Sequence, residues 1–336
     1  MIALLEVDNL VVRFPVSGTL AHRMRGGARW IDAVGGVSLR LAPGETMAVV
    51  GESGSGKTTL ARAITGLTAA QAGEVRLEGR PVVGCSGADR KKLRRETAMI
   101  FQDPVGSLSP RYSVRGLLAE PFRIHGLTER DLDAEVDRLL HLVGLPPAMA
   151  GRYPHQLSGG QARRVGVARA LALSPKLVIA DEPTAGLDVS VQGEVLNLLN
   201  ELRERLGLAM LIITHNLSIV RHIADRMAIM YLGRFIEQGE TSAIFARPRH
   251  PYSLALLSAN PEPDPDARPH RIALEGEVPS LLARPSGCEF HCRCPFAQAR
   301  CRVEAPAVTE LPDGRRFTCH FPLDASAWRE THSRCR

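Results

Sequence analysis

The sequence lacks the long apolar segment that a membrane-spanning chain needs. No apolar run approaches the roughly 20 residues that cross a bilayer as a helix. The N-terminus also shows no signal peptide. These two absences predict a soluble chain that stays in the cytoplasm.

Long runs of one charge and internal repeats are missing as well. The 336 residues carry 42 Lys and Arg against 36 Asp and Glu, a net charge of +6, and like charges never run to five in a row. This mild excess is compatible with a membrane-associated or ribosome-associated partner and specifies neither. The length suffices for one large α/β domain plus a smaller addition.

The most informative segment that is present is the loop at residues 51–58. It reads G-E-S-G-S-G-K-T and fits the phosphate-binding pattern G-x-x-x-x-G-K-[ST]. Gly51 and Gly56 permit backbone conformations in which successive N–H groups point at one anion. We expect Lys57 to reach the β- and γ-phosphates of a nucleotide and the Thr58 hydroxyl to bind Mg²⁺.

The surroundings of this loop support a ligand site. Residues 46–50 have the pattern of a buried strand, and residues 59–64 that of a helix, whose positive N-terminal end favours an anion. The alternative, a glycine-rich turn without a ligand, does not need this strand–loop–helix arrangement.

A second buried strand ends in two carboxylates. Residues 177–180 are apolar on both faces, as in a parallel sheet, and Asp181 and Glu182 follow them. Ligands bind at the carboxyl ends of such strands. We expect Asp181 to hold the Mg²⁺ shell and Glu182 to polarise the attacking water. The alternative is that both acids only cap the next segment.

A second glycine-containing turn lies about a hundred residues after the first. Residues 157–161 read L-S-G-G-Q. Ser158 is a good helix N-cap, and Gly159 and Gly160 would leave N–H groups exposed just before a basic helix at 163–173. The pattern predicts either a second anion site without a lysine of its own or an ordinary capped helix.

With these motifs in order, the chain resembles the ATP-binding subunits of ABC transporters over nearly its whole length. Residues 51–58 match the Walker A motif, 177–181 with Glu182 match Walker B and the catalytic glutamate, and 157–161 match the unmodified signature. Gln102 matches the Q-loop, 185–188 the D-loop, and His215 the switch histidine after the strand at 210–214. Phe14 lies where the family places an aromatic ring against adenine, although an aromatic at a strand end is often a core residue. His215 and Gln102 also have plain alternatives, a core histidine and a surface loop residue.

The resemblance implies ATP and Mg²⁺ as cofactors, with Glu182 and His215 as catalytic residues and Thr58, Gln102 and Asp181 around the metal. The nucleotide-binding set that it implies is larger and comprises Phe14, Gly51, Glu52, Ser53, Gly54, Ser55, Gly56, Lys57, Thr58, Thr59, Gln102, Ser158, Gly159, Gly160, Gln161 and Asp181.

The same resemblance implies an α/β fold. It is that of a P-loop NTPase of the ABC nucleotide-binding type, which has a RecA-like core, an antiparallel β subdomain and a helical subdomain. We expect the ATPase domain at 1–245, with the helical subdomain at about 103–172, and a small Cys-containing C-terminal extension at 246–336. An insertion from residue 17 to 30 interrupts the first hairpin. Residues 105–112 are a candidate contact for membrane subunits.

The C-terminal region resembles that of oligopeptide/dipeptide-type ABC importers. The relevant stretches are 247–257, the Pro-rich linker at 261–269, and the cysteines that follow. Related nickel and glutathione importers share this arrangement, so the substrate class stays open between peptide and other small solutes.

Cysteine is scarce before this region and concentrated in it. Six of the seven cysteines follow residue 287, and in a cytoplasmic chain such clustering favours metal binding over disulfides. Cys288, Cys294, Cys301 and Cys319 match a set that carries a [4Fe–4S] cluster in some members of the resembled group. Tetrahedral Zn²⁺ and unligated thiols are the alternatives, and Cys292 or Cys335 could substitute in the set.

The expected function is ATP hydrolysis that drives import of peptides or similar small solutes. In the family, ATP lies between the 51–58 loop of one subunit and the 158–161 turn of another, and closure of this dimer moves the membrane subunits. The resemblance implies a second ATPase subunit, more readily a different chain than a copy, together with two transmembrane permeases, an extracytoplasmic solute-binding protein and no nucleic acid. It places the chain peripherally on the cytoplasmic face of the inner (plasma) membrane. Alternatives are a soluble ABC ATPase acting on ribosomes or DNA, and a nonhydrolytic regulatory or Fe–S-binding subunit.

Overall fold

The computed structural model describes residues 3–16, 30–101, 103, 106–127, 129–260, 272 and 274–324. Gln102 therefore lies outside the described residues, as do most of the 17–30 insertion and the Pro-rich stretch at 261–269. Cys335 lies outside them too.

A small antiparallel sheet is built from the N-terminal part of the chain. Its strands are β1 (Leu5–Pro15), β2 (Trp30–Leu41), β4 (Ala72–Leu77) and β5 (Arg80–Pro81), in the order β2-β1-β4-β5. β1 and β2 form the hairpin that the 17–30 insertion interrupts, since Pro15 pairs with Trp30 at its open end. The alternating burial along β1 leaves one face for the core and one for solvent.

The larger sheet holds the parallel strands that position the site. β3 (Thr46–Val50), β6 (Thr97–Ile100), β7 (Leu177–Asp181), β8 (Ala209–Thr214) and β9 (Arg226–Tyr231) run parallel in the order β9-β3-β8-β7-β6. β3, β7 and β8 are buried at every residue because helices cover both faces. Parallel strands end at one edge of the sheet, so the segments that follow β3, β7 and β8 meet there.

Four helices alternate with these strands along the chain. They are α1 (Lys57–Ile64), α2 (Gly87–Glu96), α6 (Val189–Leu206) and α7 (Leu217–Ile223). The region expected to be helical holds α3 (Val114–Ile124), α4 (Leu132–Leu142) and α5 (Gly159–Leu171), with short 3-10 turns at Pro147–Gly151 and Pro154–Gln156. The sequence pattern predicts helices at 117–125 and 163–173, whereas α3 begins at Val114 and α5 at Gly159. Ser113 and Ser158 cap them, and the residues directly after these caps already form the first turn.

The C-terminal region packs onto the larger sheet instead of standing apart. Strand β10 (Arg234–Glu240) pairs with β9, and β12 (Arg316–Phe317) pairs with β10 and with β11 (Thr309–Glu310). Helices α8 (Thr241–Ala246), α9 (Pro251–Ser258) and α10 (Ala299–Val303) complete the region. Tyr252 and Phe290 share one apolar cluster with Ile229 and Tyr231 of the sheet. The division of the chain at residue 245 stays a prediction.

Candidate nucleotide-binding site

The loop between β3 and α1 needs glycine at both ends, for two different reasons. Gly56 has φ +103°, a conformation that side chains rarely adopt, and a Cβ there would meet the Ala33 carbonyl oxygen at 2.2 Å. At Gly51 the reason is close approach, since a Cβ would lie 2.2 Å from the Met230 carbonyl oxygen. The sequence pattern had suggested backbone freedom at both positions.

The Lys57 side chain folds back into the 51–58 loop. Its ammonium donates hydrogen bonds to the carbonyl oxygens of Gly51 and Glu52, both at 2.8 Å, and the side chain is buried. Burial lowers the pKa of Lys57, and the nearby carboxylates of Glu182 and Asp181 oppose that shift. Gly56 supplies no side-chain cap to α1, so N–H groups at the start of this helix are available to an anion.

Thr58 and Asp181 come together although 123 residues separate them. The Thr58 hydroxyl donates to Asp181 Oδ1 at 3.2 Å. Burial raises the pKa of Asp181, and the hydrogen bond from Thr58 works against that rise. A hydroxyl and a carboxylate are oxygen ligands that suit Mg²⁺, which commonly takes one or two protein ligands and completes its shell with phosphate oxygens and water. The two residues therefore fit the ion that the family implies.

Glu182 and His215 form the neighbouring pair at the same edge. His215 Nδ1 lies 2.9 Å from Glu182 Oε1, and the Glu182 N–H donates to the Ile213 carbonyl oxygen. Glu182 adopts φ +48°, an uncommon conformation for a non-glycine residue, immediately after the last residue of β7. The histidine side chain is two-thirds exposed, so this pair can reach a water molecule.

The signature turn at 157–161 forms a closed capping box. Ser158 Oγ accepts from the Gln161 N–H at 3.3 Å, and Gln161 Oε1 accepts from the Ser158 N–H at 3.1 Å. Gly159 and Gly160 form the first turn of α5, whereas the sequence pattern predicts them just before the helix. Ser158 and Gly159 face solvent, and no hydrogen bond within the described part of the chain joins this turn to the 51–58 loop.

Two predicted nucleotide contacts have different outcomes. Phe14, near the end of β1, is 42% exposed with respect to the described residues, so its side chain is not part of the core that they form. Gln102 lies outside the described residues. In the loop itself, Ser53 and Gly54 are exposed, Ser55 is buried and Thr59 is half-buried at the start of α1.

The four predicted cysteines line one cavity. Cys288, Cys294, Cys301 and Cys319 face it together with aromatic side chains that include Phe290. Burial raises the pKa of Cys288, that of Cys294 to about 11 and that of Cys319 to about 12. Within the described residues, no three His, Cys, Asp or Glu side chains are grouped tightly enough to hold a metal ion. The sulfurs thus share a cavity without forming a closed single-ion site.

Other cysteines lie apart from this arrangement. Cys292 is exposed, and its Sγ lies 3.2 Å from His291 Nε2. The Cys85 thiol donates a hydrogen bond to the Val82 carbonyl oxygen, and in sequence Cys85 is distant from the cysteines of the cavity.

The structure adds three contacts that the sequence pattern did not indicate. Arg163, predicted on a basic helix, is buried. It donates hydrogen bonds to the carbonyl oxygens of Pro183 and Ala185, in the segment that follows Glu182. Tyr252 and Arg293, from the C-terminal region, both contact Glu52 of the loop. No local signal could have found these contacts, because Arg293 and Glu52 lie 241 residues apart.

No helix among the described residues is long and apolar enough to cross a membrane.

Known proteins resemble this chain along most of its length. The family profile "ABC transporter" matches residues 34–185, and "Oligopeptide/dipeptide transporter, C-terminal region" matches residues 236–301. A probable peptide ABC transporter ATP-binding protein of Sinorhizobium fredii is 45% identical over 97% of this chain and 92% of its own length. The oligopeptide transport ATP-binding protein OppF of Salmonella typhimurium is 44% identical over 91% of this chain and 92% of its own.

Solved structures show the same fold. The cbiO1 protein of Clostridium perfringens, described as part of the ABC transporter complex cbiONQ, has a TM-score of 0.61 and 29% identity over 73% of this chain and 92% of its own. A bacterial ABC transporter cassette solved as a dimer has a TM-score of 0.59 and 26% identity over 70% of this chain and 98% of its own. The predicted α/β fold of the ABC nucleotide-binding type is confirmed. The chain belongs to the family of ABC transporter ATP-binding proteins, in the group that carries the oligopeptide/dipeptide transporter C-terminal region.

Proposed function

We propose that this chain is the ATP-hydrolysing subunit that energises import of peptides through a membrane ABC transporter complex. The observation that carries the proposal is the meeting of Lys57, the Thr58–Asp181 pair and the Glu182–His215 pair at one edge of the parallel sheet. Relatives that match over nearly the whole chain are named as peptide and oligopeptide transport proteins, which supports peptide as the solute class.

The catalytic step follows from what each residue can do. The 51–58 loop and the N-terminus of α1 bind the phosphates of ATP, and Lys57 stabilises the negative charge that develops during phosphoryl transfer. Thr58 and Asp181 would hold Mg²⁺, and the ion would supply positive charge to the phosphate oxygens. Glu182 orients a water molecule for attack on the γ-phosphate, and His215, bonded to Glu182, keeps that carboxylate in place and reaches the phosphate.

The second half of the site comes from another subunit. Gly159, exposed in the first turn of α5, presents an N–H group to a γ-phosphate bound to a facing subunit, beside the exposed side chain of Ser158. We assign this partner to a second ABC ATPase subunit, in a heterodimer. The remaining partners are two transmembrane permeases and an extracytoplasmic solute-binding protein, which places the chain on the cytoplasmic face of the inner membrane.

The function is tested by reconstituting this chain with its permeases and second ATPase in lipid vesicles. We expect ATP hydrolysis that rises when a peptide-loaded binding protein is added on the outside, together with accumulation of labelled peptide inside. A complex that carries Lys57→Ala serves as the control and should show neither the peptide-stimulated hydrolysis nor the accumulation of peptide. Hydrolysis unaffected by peptide, or uptake of Ni²⁺ with no uptake of peptide, would contradict the proposal.

We further propose that the cysteine cavity of the 246–336 extension holds a [4Fe–4S] cluster. Four thiols on one cavity suit a cluster that is bonded by four cysteines. Purification without oxygen, followed by iron and sulfide assays, should find both elements in the wild type and in Cys85→Ser, but not in Cys301→Ser. A colourless, iron-free wild type would rule the cluster out.

A further inference from the structure

The C-terminal region reaches the phosphate-binding loop through an ion pair. Arg293 Nη1 lies 2.9 Å from Glu52 Oε2, and Arg293 Nη2 lies 3.1 Å from Glu52 Oε1. The side chains are only 8% and 24% exposed. A two-point contact of this kind fixes the direction of the carboxylate as well as its position, and it is little screened by solvent.

Glu52 is held on its other sides as well. Its N–H donates to the hydroxyl oxygen of Tyr252 at 3.2 Å, and its carbonyl oxygen accepts from Lys57 Nζ. Tyr252 is fully buried, with its ring 4.8 Å from that of Tyr231 and 5.3 Å from that of Phe290. The second residue of the loop is therefore fixed by two side chains of the C-terminal region and by the lysine that reaches the phosphates.

Arg293 is in turn fixed by the segment that carries the cavity cysteines. Its N–H donates to the Phe290 carbonyl oxygen at 3.0 Å, in a turn between Cys288 and Cys294. Both of these cysteines face the cavity, and Phe290 packs into the cluster that joins this region to the larger sheet. The guanidinium group can hold Glu52 only while this turn keeps its shape.

We propose that Arg293 is a positioning residue for ATP binding, through which the cysteine-bearing extension holds the 51–58 loop in its phosphate-binding shape. The proposal rests on the proposed nucleotide site. A loop rich in glycine loses much conformational freedom when it orders around a phosphate, and a contact that orders it beforehand removes part of that cost. Such coupling is reciprocal, so bound ATP must also stabilise the turn around Arg293.

The first test compares ATP dissociation constants of single and double variants, measured by titration with the fluorescent nucleotide mant-ATP and Mg²⁺. We expect Arg293→Ala and Glu52→Gln each to raise the constant about tenfold, which is within the usual range of such couplings. Combined, they should raise it no further than the larger single effect, because both remove the same contact. Arg300→Ala is the matched control, since it breaks an exposed ion pair with Glu304 in the same extension.

The outcomes separate this inference from the proposed function. A wild type that fails to bind mant-ATP would overturn the nucleotide site itself. A wild type that binds it, with Arg293→Ala unchanged or with independent effects of the two substitutions, would overturn only the role of Arg293. If Arg293→Ala does not fold, Arg293→Lys keeps the charge, loses the two-point contact and should weaken binding by a smaller factor.

The second test measures the coupling from the other end. Hydrogen exchange of residues 286–301 should slow about fivefold when ATP and Mg²⁺ are added to the Glu182→Gln variant, in which we expect ATP to bind with little turnover. The additional substitution Arg293→Ala should abolish that protection even at a saturating ATP concentration. Equal exchange with and without ATP in the Arg293-containing protein would refute the coupling.

Discussion

At the scale of single residues, the site is defined by pairs that the chain brings together from distant positions. Thr58 meets Asp181, and Glu182 meets His215, so the proposed metal ligands and the proposed catalytic residues are neighbours at one sheet edge. Glu182 adopts a positive φ directly after β7, an uncommon backbone conformation at a residue of the proposed site. The chemistry of the site therefore depends on individual groups whose removal has separable effects.

Glu182→Gln should leave ATP binding intact and reduce turnover. The amide keeps the size of the side chain but cannot act as a base toward water, and we expect a loss of about 10²–10⁴-fold in hydrolysis. Steady-state phosphate release measures turnover, and nucleotide titration measures binding. Glu201→Gln, which alters an exposed glutamate paired with Arg205, is the control and should change neither. Unchanged hydrolysis in Glu182→Gln would refute its assignment.

Lys57→Ala should act on binding itself. The substitution removes a cation that is held inside the loop, and hydrogen bonds to charged groups are worth enough to weaken ATP affinity about 10- to 100-fold. Isothermal titration compares it with Lys176→Ala, which removes an exposed lysine bonded to Glu78. Equal affinities in the two variants would place the phosphates elsewhere.

At the scale of elements, helix N-termini perform two tasks in this molecule. Ser113 caps α3 and Ser158 caps α5, each by accepting a hydrogen bond from an N–H of the first turn. Both caps stabilise a helix of the same region, but only the second lies in the turn assigned to the ATP of a facing subunit. The two positions therefore separate a structural effect from a functional one.

Ser158→Ala and Ser113→Ala should each lower the free energy of unfolding by about 1 kcal/mol, because each removes a helix cap. Only Ser158→Ala should also slow ATP hydrolysis by the assembled complex, and it should leave ATP binding by the isolated subunit unchanged. Urea unfolding and phosphate release measure the two effects. Equal hydrolysis in both variants would argue against a composite site.

At the scale of the whole molecule, the C-terminal region and the larger sheet share one core. Glu237 of β10 is buried and accepts from the N–H groups of Arg249 and His250. His250 is itself fully buried, and its Nδ1 accepts from the Tyr252 N–H at the start of α9. Burial lowers the pKa of His250 to about 3 and raises that of Glu237. The fold therefore favours the neutral form of this histidine at the junction.

This histidine makes stability fall as the pH drops. The unfolded chain binds a proton at His250 near pH 6.5, whereas the folded chain does so only near pH 3, so stability is lost between these values. From pH 7 to pH 5 the histidine contributes a loss of about 2 kcal/mol. Glu237 acts in the opposite direction, because the folded chain takes up its proton more readily than the unfolded chain does.

The pH dependence is tested with His250→Asn, which keeps a cap for α9 but does not titrate. Free energies of unfolding in urea should fall less between pH 7 and pH 5 in this variant than in the wild type. His222→Asn, at an exposed position, should retain the wild-type slope. Parallel pH profiles for the wild type and His250→Asn would contradict the assignment.

Elements with a local pattern could be predicted from the order of the residues alone. Apolar runs at 46–50, 177–180 and 210–214 became buried parallel strands, and the glycines and lysine between 51 and 58 became the loop that follows the first of them. Turn chemistry and hydrophobic pattern suffice there because neighbouring residues set the backbone conformation. The helix starts were less well predicted, since the caps at Ser113 and Ser158 moved them toward the N-terminus.

The contacts between these elements arise only in the folded chain. Folding buried Arg163 under the segment after Glu182, placed four cysteines on one cavity, and joined Arg293 to Glu52 across 241 residues. No local pattern encodes such contacts, because they depend on how the C-terminal region packs against the sheet. The sequence thus specified the phosphate-binding loop from its own residues, and the packing of a distant region decided what holds that loop in shape.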